Sequence, residues 1–370
     1  GYAKRVNDVR VGGQYEHGHG GAGGNWTRND KLGDAWTLNT SLSARGSTQE
    51  YLSETTTTDE DLASGTLTRQ AVESNFAVEK KQNVHLATRL QWQGERGQNG
   101  FLAPFATASQ GKIDRTSRID QSLGAAPAYD HASSHTDWRF GLLRLLGQWR
   151  HILGDGLRAE WRGNGGESHS SNHTVRLERD AADTLLATVD DTAKTRDRSL
   201  TLGLKLSKLL DNEHSLVGGG EVEAVRRTEA RTSLRDGVPL LTDFGENLQA
   251  ASTRGALYVQ DEWTVNPNWA AHAGLRWEGI TTKGTGEDGA TPSNRSSVWT
   301  PLLHAVWKPD RQGRDQIRMS LTRSYKAPTT SQLLGRPSLS NRFPVPGANT
   351  PTSADRAGNP TAAAFFATFT

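Results

Sequence analysis

Residues 256–280, "ALYVQDEWTVNPNWAAHAGLRWEGI", decide the fold. Two runs of alternating character flank Asn266-Pro267-Asn268, a turn signal. In the second run Trp269, Ala271, Ala273, Leu275 and Trp277 share one face, and Ala270, His272, Gly274, Arg276 and Glu278 share the other. Period-2 alternation means strands, and the turn between them means an antiparallel hairpin. Its apolar face ends in an indole at each side. At ~3.3 Å per residue and a tilt of ~40°, eight residues rise about 20 Å, close to the ~25 Å apolar band of a membrane barrel. Indoles favour both edges of that band.

The pattern extends along the chain. Trp299 and Trp307 repeat the eight-residue spacing with Leu303 and Ala305 between them, and Trp263 begins a third such face with Val259 and Leu257. The same alternation runs through "WTLNTSLSA" (36–44), "VHLATRLQW" (84–92), "RSLTLGLKLSKLL" (198–210) and "DQIRMSLTRSY" (315–325). A single such Trp has a plain alternative as a sandwich-core residue. Two adjacent strands with one spacing favour girdles, made here of Trp263, Trp269, Trp277, Trp299 and Trp307.

Connections sort into two classes. Short ones are "LGDG" (153–156), "LLDNEH" (209–214), "NPN" (266–268) and "KPDRQGRD" (308–315). Long polar ones fall at 46–65, 109–135, 178–194, 227–252 and 281–297. They alternate, so one rim is tight and the other carries large loops, as in a transmembrane β-barrel with short periplasmic turns and long extracellular loops. The expected fold is therefore an all-β antiparallel barrel wall of about 13 strands.

Composition agrees. Only 34% of the 370 residues are hydrophobic, which suits strands that need one apolar face each. The 43 basic and 41 acidic residues are balanced, which argues against nucleic acid as a partner. No cysteine is present, which removes disulfides, thiolate zinc sites and cysteine nucleophiles. No apolar stretch reaches the ~18 residues of a transmembrane helix, and the first ten residues are not a signal peptide, so an exported protein would carry its leader outside this sequence.

Candidate sites are sparse. The polar faces offer Gln260, Glu262, His272, Arg276, Glu278, Arg318 and Thr322 as residues toward a ligand or an internal plug, against a plain reading as general lumen polarity. Tyr51, Tyr129 and Phe244 are loop aromatics that could touch a ligand. His17 and His19 lack a third ligand and read as part of a glycine-rich loop, so no metal is expected. "TTTTDEDLASG" (55–65) and "GTGEDG" (284–289) lack the spacing of a calcium loop. No nucleophile–base or paired-carboxylate arrangement stands out, so neither enzymatic activity nor a cofactor is expected.

The segments "ALYVQDEWTVNPNWAAHAGLRWEG" (256–279), "VWTPLLHAVWKPD" (298–310) and "QIRMSLTRSYKAPTTSQL" (316–333), with "AGNP" (357–360), resemble the TonB-dependent outer-membrane receptors. The family carries a Y-x-Q-D-E-W strand, a G-x-R-[WY] strand and an S-x-x-R-x-[YF]-[RK]-[AS]-P strand end. The resemblance implies a 22-stranded barrel plugged by an N-terminal domain, energised by the inner-membrane TonB complex. It also implies a monomeric barrel in the bacterial outer membrane, in contact with its lipid, taking up ferric siderophores, haem, cobalamin or glycans. A ferric siderophore is the cargo expected from family frequency. Residues 1–370 are expected to be barrel wall alone, an internal piece lacking the plug and some nine strands, and not a competent transporter by itself. Two other classes stay open: an exported β-rich adhesin or glycan-binding protein, which would show a fixed repeat, and a plug-free porin-like barrel.

Overall fold

The computed structural model describes residues 6–210, 213–240, 247–285, 293–310, 315–326 and 365–369. Phe244, residues 327–333 of the third family-like segment, residues 357–360 and most of 284–289 lie outside them.

Described residues form β1 (Val6–Glu16), β2 (His19–Leu32), β3 (Trp36–Glu60), β4 (Leu67–Gln93), β5 (Asn99–Leu123), β6 (His131–Gly154), β7 (Leu157–Arg179) and β8 (Leu185–Leu209). They continue as β9 (His214–Arg235), β10 (Val238–Pro239), β11 (Asn247–Asn266), β12 (Trp269–Thr285), β13 (Ser293–Trp307), β14 (Ile317–Lys326) and β15 (Phe365–Phe369). The only helical piece among them is the single 3-10 turn Glu95–Gly97. All strands join one antiparallel sheet in chain order, fourteen on the main path, with β10 folded back on β9 so that β11 also pairs with β9. The meander has no fixed repeat, because strands on the main path run from 27 residues in β4 to 5 in β15 among the described residues. The fixed repeat that the adhesin or glycan-binding alternative calls for is therefore not seen among the described strands.

Turn chemistry sets the hairpins. Asp155 and Gly156 join β6 to β7 with φ of 45° and 73°, the left-handed pair a two-residue type I′ turn requires. At the β11–β12 turn Asn266 Oδ1 accepts from the backbone N–H of Asn268 and Trp269 at 2.9 and 3.0 Å, which closes the chain around Pro267.

The long polar segments do extend one rim, but most of their length is ladder. β3 runs to Glu60 and pairs with β4 through Thr55–Thr58, and the 178–194 segment narrows to a turn at 180–184. The four threonines are β-branched and polar, so they suit a pleated strand that is wet on both faces. Alternation of hydrophobicity cannot reveal such a strand, because neither face is apolar.

Register places the faces. One continuous row of partners runs Trp36, Trp92, Gly100, Trp149, Trp161, Leu204, Gly220, Leu257, Trp277, Trp299. The short turn lies two residues past this row at Trp92 on β4, six past it at Trp149 on β6, and nine past it at Trp299 on β13. That progressive shear is the geometry of tilted strands in a barrel wall. Leu202, Leu257, Val259, Trp263, Leu275, Trp299, Leu303 and Met319 all project from this apolar face and are exposed. Every buried side chain among the described residues, except that of Ala159, projects from the opposite, polar face. The sheet therefore curves with its polar side inward and its apolar side outward.

Candidate functional site

The inward face takes alternate residues of each strand, and register brings the expected residues into two groups. Near the short turns Glu262 lies opposite His272, and His272 lies opposite His304 with ring centroids 5.6 Å apart. Gln260 is opposite Gly274. On the next strand Arg318 and Thr322 face the same way, opposite Val306 and Leu302. Farther up, Arg276 and Glu278 join a larger charged network.

That network draws on five strands, β6, β7, β9, β11 and β12. Arg150 donates to Glu160 at 3.0 Å, and Arg162 donates to the same carboxylate at 2.5 Å. Arg254 Nη2 donates to Glu221 at 2.6 Å and to Glu223 at 2.8 Å, while its Nη1 lies 3.6 Å from Glu278. Arg276 donates to Glu278, whose side chain is only 7% exposed. Tyr258 links the two halves: Arg276 lies 5.7 Å from its ring centroid, and the ring covers Gly219 on β9. A Cβ on Gly219 would meet the Leu204 carbonyl oxygen of β8 as well as the Tyr258 hydroxyl and ring, so only glycine fits between the neighbouring strand and the phenol. Such a face can hold a polar body by many exchangeable hydrogen bonds and ion pairs, because its cations and carboxylates alternate.

Residue-by-residue reading found Arg276 and Glu278 but missed Arg254, Glu221, Glu223, Arg150, Glu160 and Arg162. Their signal was present in the "EVE" of 221–223 and the "RAEWR" of 158–162, where charge alternates with an apolar residue. What sequence did not supply was the register that brings them together.

Toward the long rim, beyond the apolar belt, Trp138 Nε1 donates to Glu79 at 3.2 Å and Tyr51 Oη donates to the same carboxylate at 2.9 Å. Tyr129 lies under the Arg176 guanidinium, 4.6 Å from its ring centroid, and burial raises its hydroxyl pKa. His131 bridges Asp130 and Asp183, each at 3.1 Å, and those hydrogen bonds raise its pKa. His19 contacts Glu50 at 2.8 Å, away from any third ligand, and no group of three metal-capable side chains occurs among the described residues.

On the outward face the tryptophans stand in pairs. Trp269 and Trp307 stack with centroids 6.0 Å apart, Trp277 is opposite Trp299, and Trp263 stacks on His214 at 4.8 Å. Trp36 with Trp92, and Trp149 with Trp161, extend the set beyond the five residues picked from sequence. On β11–β13 one described acid interrupts this face. Asp261 lies between Val259 and Trp263, and its Oδ2 is bonded to His214 Nδ1 at 2.6 Å.

The family model described as TonB dependent receptor-like, beta-barrel, matches residues 79–362. The chain belongs to this family. Its members are outer-membrane receptors and transporters, not enzymes, and work with TonB to move small ligands. No curated protein matches the chain. Among solved structures it is similar to the ferric yersiniabactin uptake receptor FyuA of Yersinia pestis, at 7% identity and a TM-score of 0.28, over 87% of this chain and 68% of that one. It is also similar to the outer membrane protease OmpT of Escherichia coli, at 12% identity and a TM-score of 0.23, over 75% of this chain and 98% of that one. Overlaps this slight add nothing to the family assignment.

Proposed function

We propose that residues 1–370 are wall throughout, from a monomeric TonB-dependent transporter in the bacterial outer membrane that takes up a scarce ligand, with a ferric siderophore as cargo. The plug that TonB acts on would be supplied from outside these residues. The observation that carries the reading is the division of the sheet: Leu275 is 43% and Trp299 56% exposed on one face, while Glu278 is almost fully buried in ion pairs on the other.

In this reading Trp263, Trp269, Trp277, Trp299 and Trp307 mark the edges of the lipid, and the inward set Gln260, Glu262, His272, Arg276, Glu278, Arg318 and Thr322 faces the plug or the passing ligand. The extended rim formed by β3–β8 would capture the ligand, and TonB-driven rearrangement of the plug would release it to the periplasm. The wall residues act as donors and acceptors that exchange partners as the plug moves.

The test is transport by cells whose gene for the whole protein is deleted and then restored. Loss of uptake of one labelled ferric siderophore, restored only when TonB is present, supports the reading. Loss of haem, cobalamin or glycan uptake instead overturns the cargo and keeps the transporter. Uptake that needs no TonB overturns both.

A further inference from the structure

His131, His135, His173 and His214 each hold a carboxylate oxygen at 3.1 Å or closer. His272 and His304, on the inward face of β12 and β13, do not. His272 is directly opposite Glu262 of β11 on one side and His304 on the other, so the three form one row across three strands. Yet neither ring bonds to Glu262 or to any other described group, and His272 Nε2 is shielded from water with no partner. The neighbours explain this. On the same face Ala270 and Gly274 flank His272, and Leu302 and Val306 flank His304. None of the four carries a side-chain donor or acceptor.

A shielded imidazole nitrogen without a partner costs stability unless something binds it. The spacing of the rings says what would fit. An imidazole nitrogen sits ~2.0–2.1 Å from a bound zinc ion, which puts the ring centroid about 3.2 Å from the metal. Two rings at the tetrahedral angle around one ion are therefore about 5.2 Å apart, centroid to centroid. The rings of His272 and His304 stand 5.6 Å apart and tilted by 37°, close to that spacing. Glu262 is exposed and does not reach the pair, so the three are not a closed ligand set as they stand. Residues directly opposite in an antiparallel ladder have Cβ atoms roughly 4.5–5.5 Å apart, within reach of a glutamate that turns toward its neighbour.

We propose that His272, His304 and Glu262 bind one divalent first-row transition-metal ion of the zinc class. Two imidazoles and one carboxylate suit such an ion. Calcium and magnesium call for shells built of oxygen, which this row lacks. Three protein ligands leave one position of a tetrahedral ion for water or for a donor from outside the wall. The row stands close to the short turns, three residues from Trp269 on β12 and three from Trp307 on β13. It lies at the opposite end from the long rim, and it does not depend on which cargo the protein takes. Bound there, the ion clips β11, β12 and β13 together beside their turns.

The test uses the whole protein in detergent micelles, stripped with a chelator and titrated with Co²⁺ and then with Zn²⁺. The expected result is one equivalent of Co²⁺ with visible bands more intense than those of the aqueous ion, displaced by Zn²⁺, which binds such ligands more tightly. His272→Ala/His304→Ala should lose these bands and weaken Zn²⁺ binding at least ~10-fold, and Glu262→Gln should weaken it several-fold. His135→Ala/His173→Ala, which changes two exposed histidines of the outward face, should bind as the wild type does. Each variant is first checked for the folded band on unheated gels. A wild type that takes up neither metal at micromolar free concentration overturns the proposal, whether or not the variants fold. So does uptake that survives the loss of both His272 and His304, which would place the metal among the carboxylate-bonded histidines. Displacement of Co²⁺ by millimolar Ca²⁺ or Mg²⁺ overturns it too, because it would mark an oxygen-ligand site. None of these outcomes bears on the transporter reading, which is judged by uptake.

Discussion

Replacing Arg254 with methionine removes the cation that holds three carboxylates on the inward face. In the wild type Arg254 meets Glu221 at 2.6 Å, Glu223 at 2.8 Å and Glu278 at 3.6 Å. A hydrogen bond to a charged group contributes roughly 1.5–3 kcal/mol when water is excluded. Arg254 is 30% exposed on a face that water can reach, so each contact is worth well under that range. Three discounted contacts, together with the repulsion left among the carboxylates, come to about 2 kcal/mol, or roughly a 30-fold fall in the folded-to-unfolded ratio. The assay is urea unfolding of the refolded protein in detergent micelles, followed by the shift in gel mobility between folded and heated samples. Adding Glu221→Gln and Glu223→Gln to the Arg254→Met variant should recover more than half of the loss, because the neutralised side chains no longer repel. A cost below ~0.5 kcal/mol, or a cost unchanged by the neutralisation, would refute the network.

Leu202→Arg places a charge in the middle of the outward belt and should cost about 2–4 kcal/mol on insertion into bilayers, whereas Thr201→Arg, on the inward side opposite Glu223, should cost under ~1 kcal/mol; equal costs count against the assignment of faces. Gly219→Val should displace the Tyr258 ring and lower the urea midpoint by the equivalent of about 1–3 kcal/mol, while Gly255→Val, where no atom lies within 4 Å of the added Cβ, should leave the packing of Tyr258 intact. The hydrogen bonds of His131 to Asp183 and Asp130 raise its pKa in the folded state. Their contribution to holding the 180–184 turn is therefore complete below the unfolded value near 6.5 and fades as pH rises through the raised value. Hydrogen exchange of the turn amides, corrected for the intrinsic rate, should quicken from pH 6 to pH 9 in the wild type but not in His131→Asn; the same pH response in both chains rules the bridge out.

Much of the wall was legible because lipid imposes a pattern on it. Residues 269–278 alternate between Ala, Leu and Trp on one side and Ala270, His272, Gly274, Arg276 and Glu278 on the other, and the structure keeps that parity along β12. The tight rim was legible too, from Asp155-Gly156 and Asn266-Pro267-Asn268, whose turn geometry is local. Beyond the belt the signal disappears. The threonines of 55–58 form ladder with β4, yet no apolar face announces it, so they read as loop. The charged network shows a different limit. Glu221 and Arg254 are 33 residues apart in sequence and meet only because β9 and β11 pair directly, with the intervening β10 folded aside.

The chain has no cysteine, so single cysteines can be introduced one at a time and spin-labelled without background. Labels at each position from 270 to 276, in protein reconstituted into bilayers, can be probed for collision with oxygen, which concentrates in lipid, and with a water-soluble nickel chelate. The account predicts two profiles of period two, in opposite phase: oxygen high at 271, 273 and 275, nickel high at 270, 272, 274 and 276. Profiles in phase, or water access on both faces, would contradict the claim that this sheet is the wall of a membrane barrel.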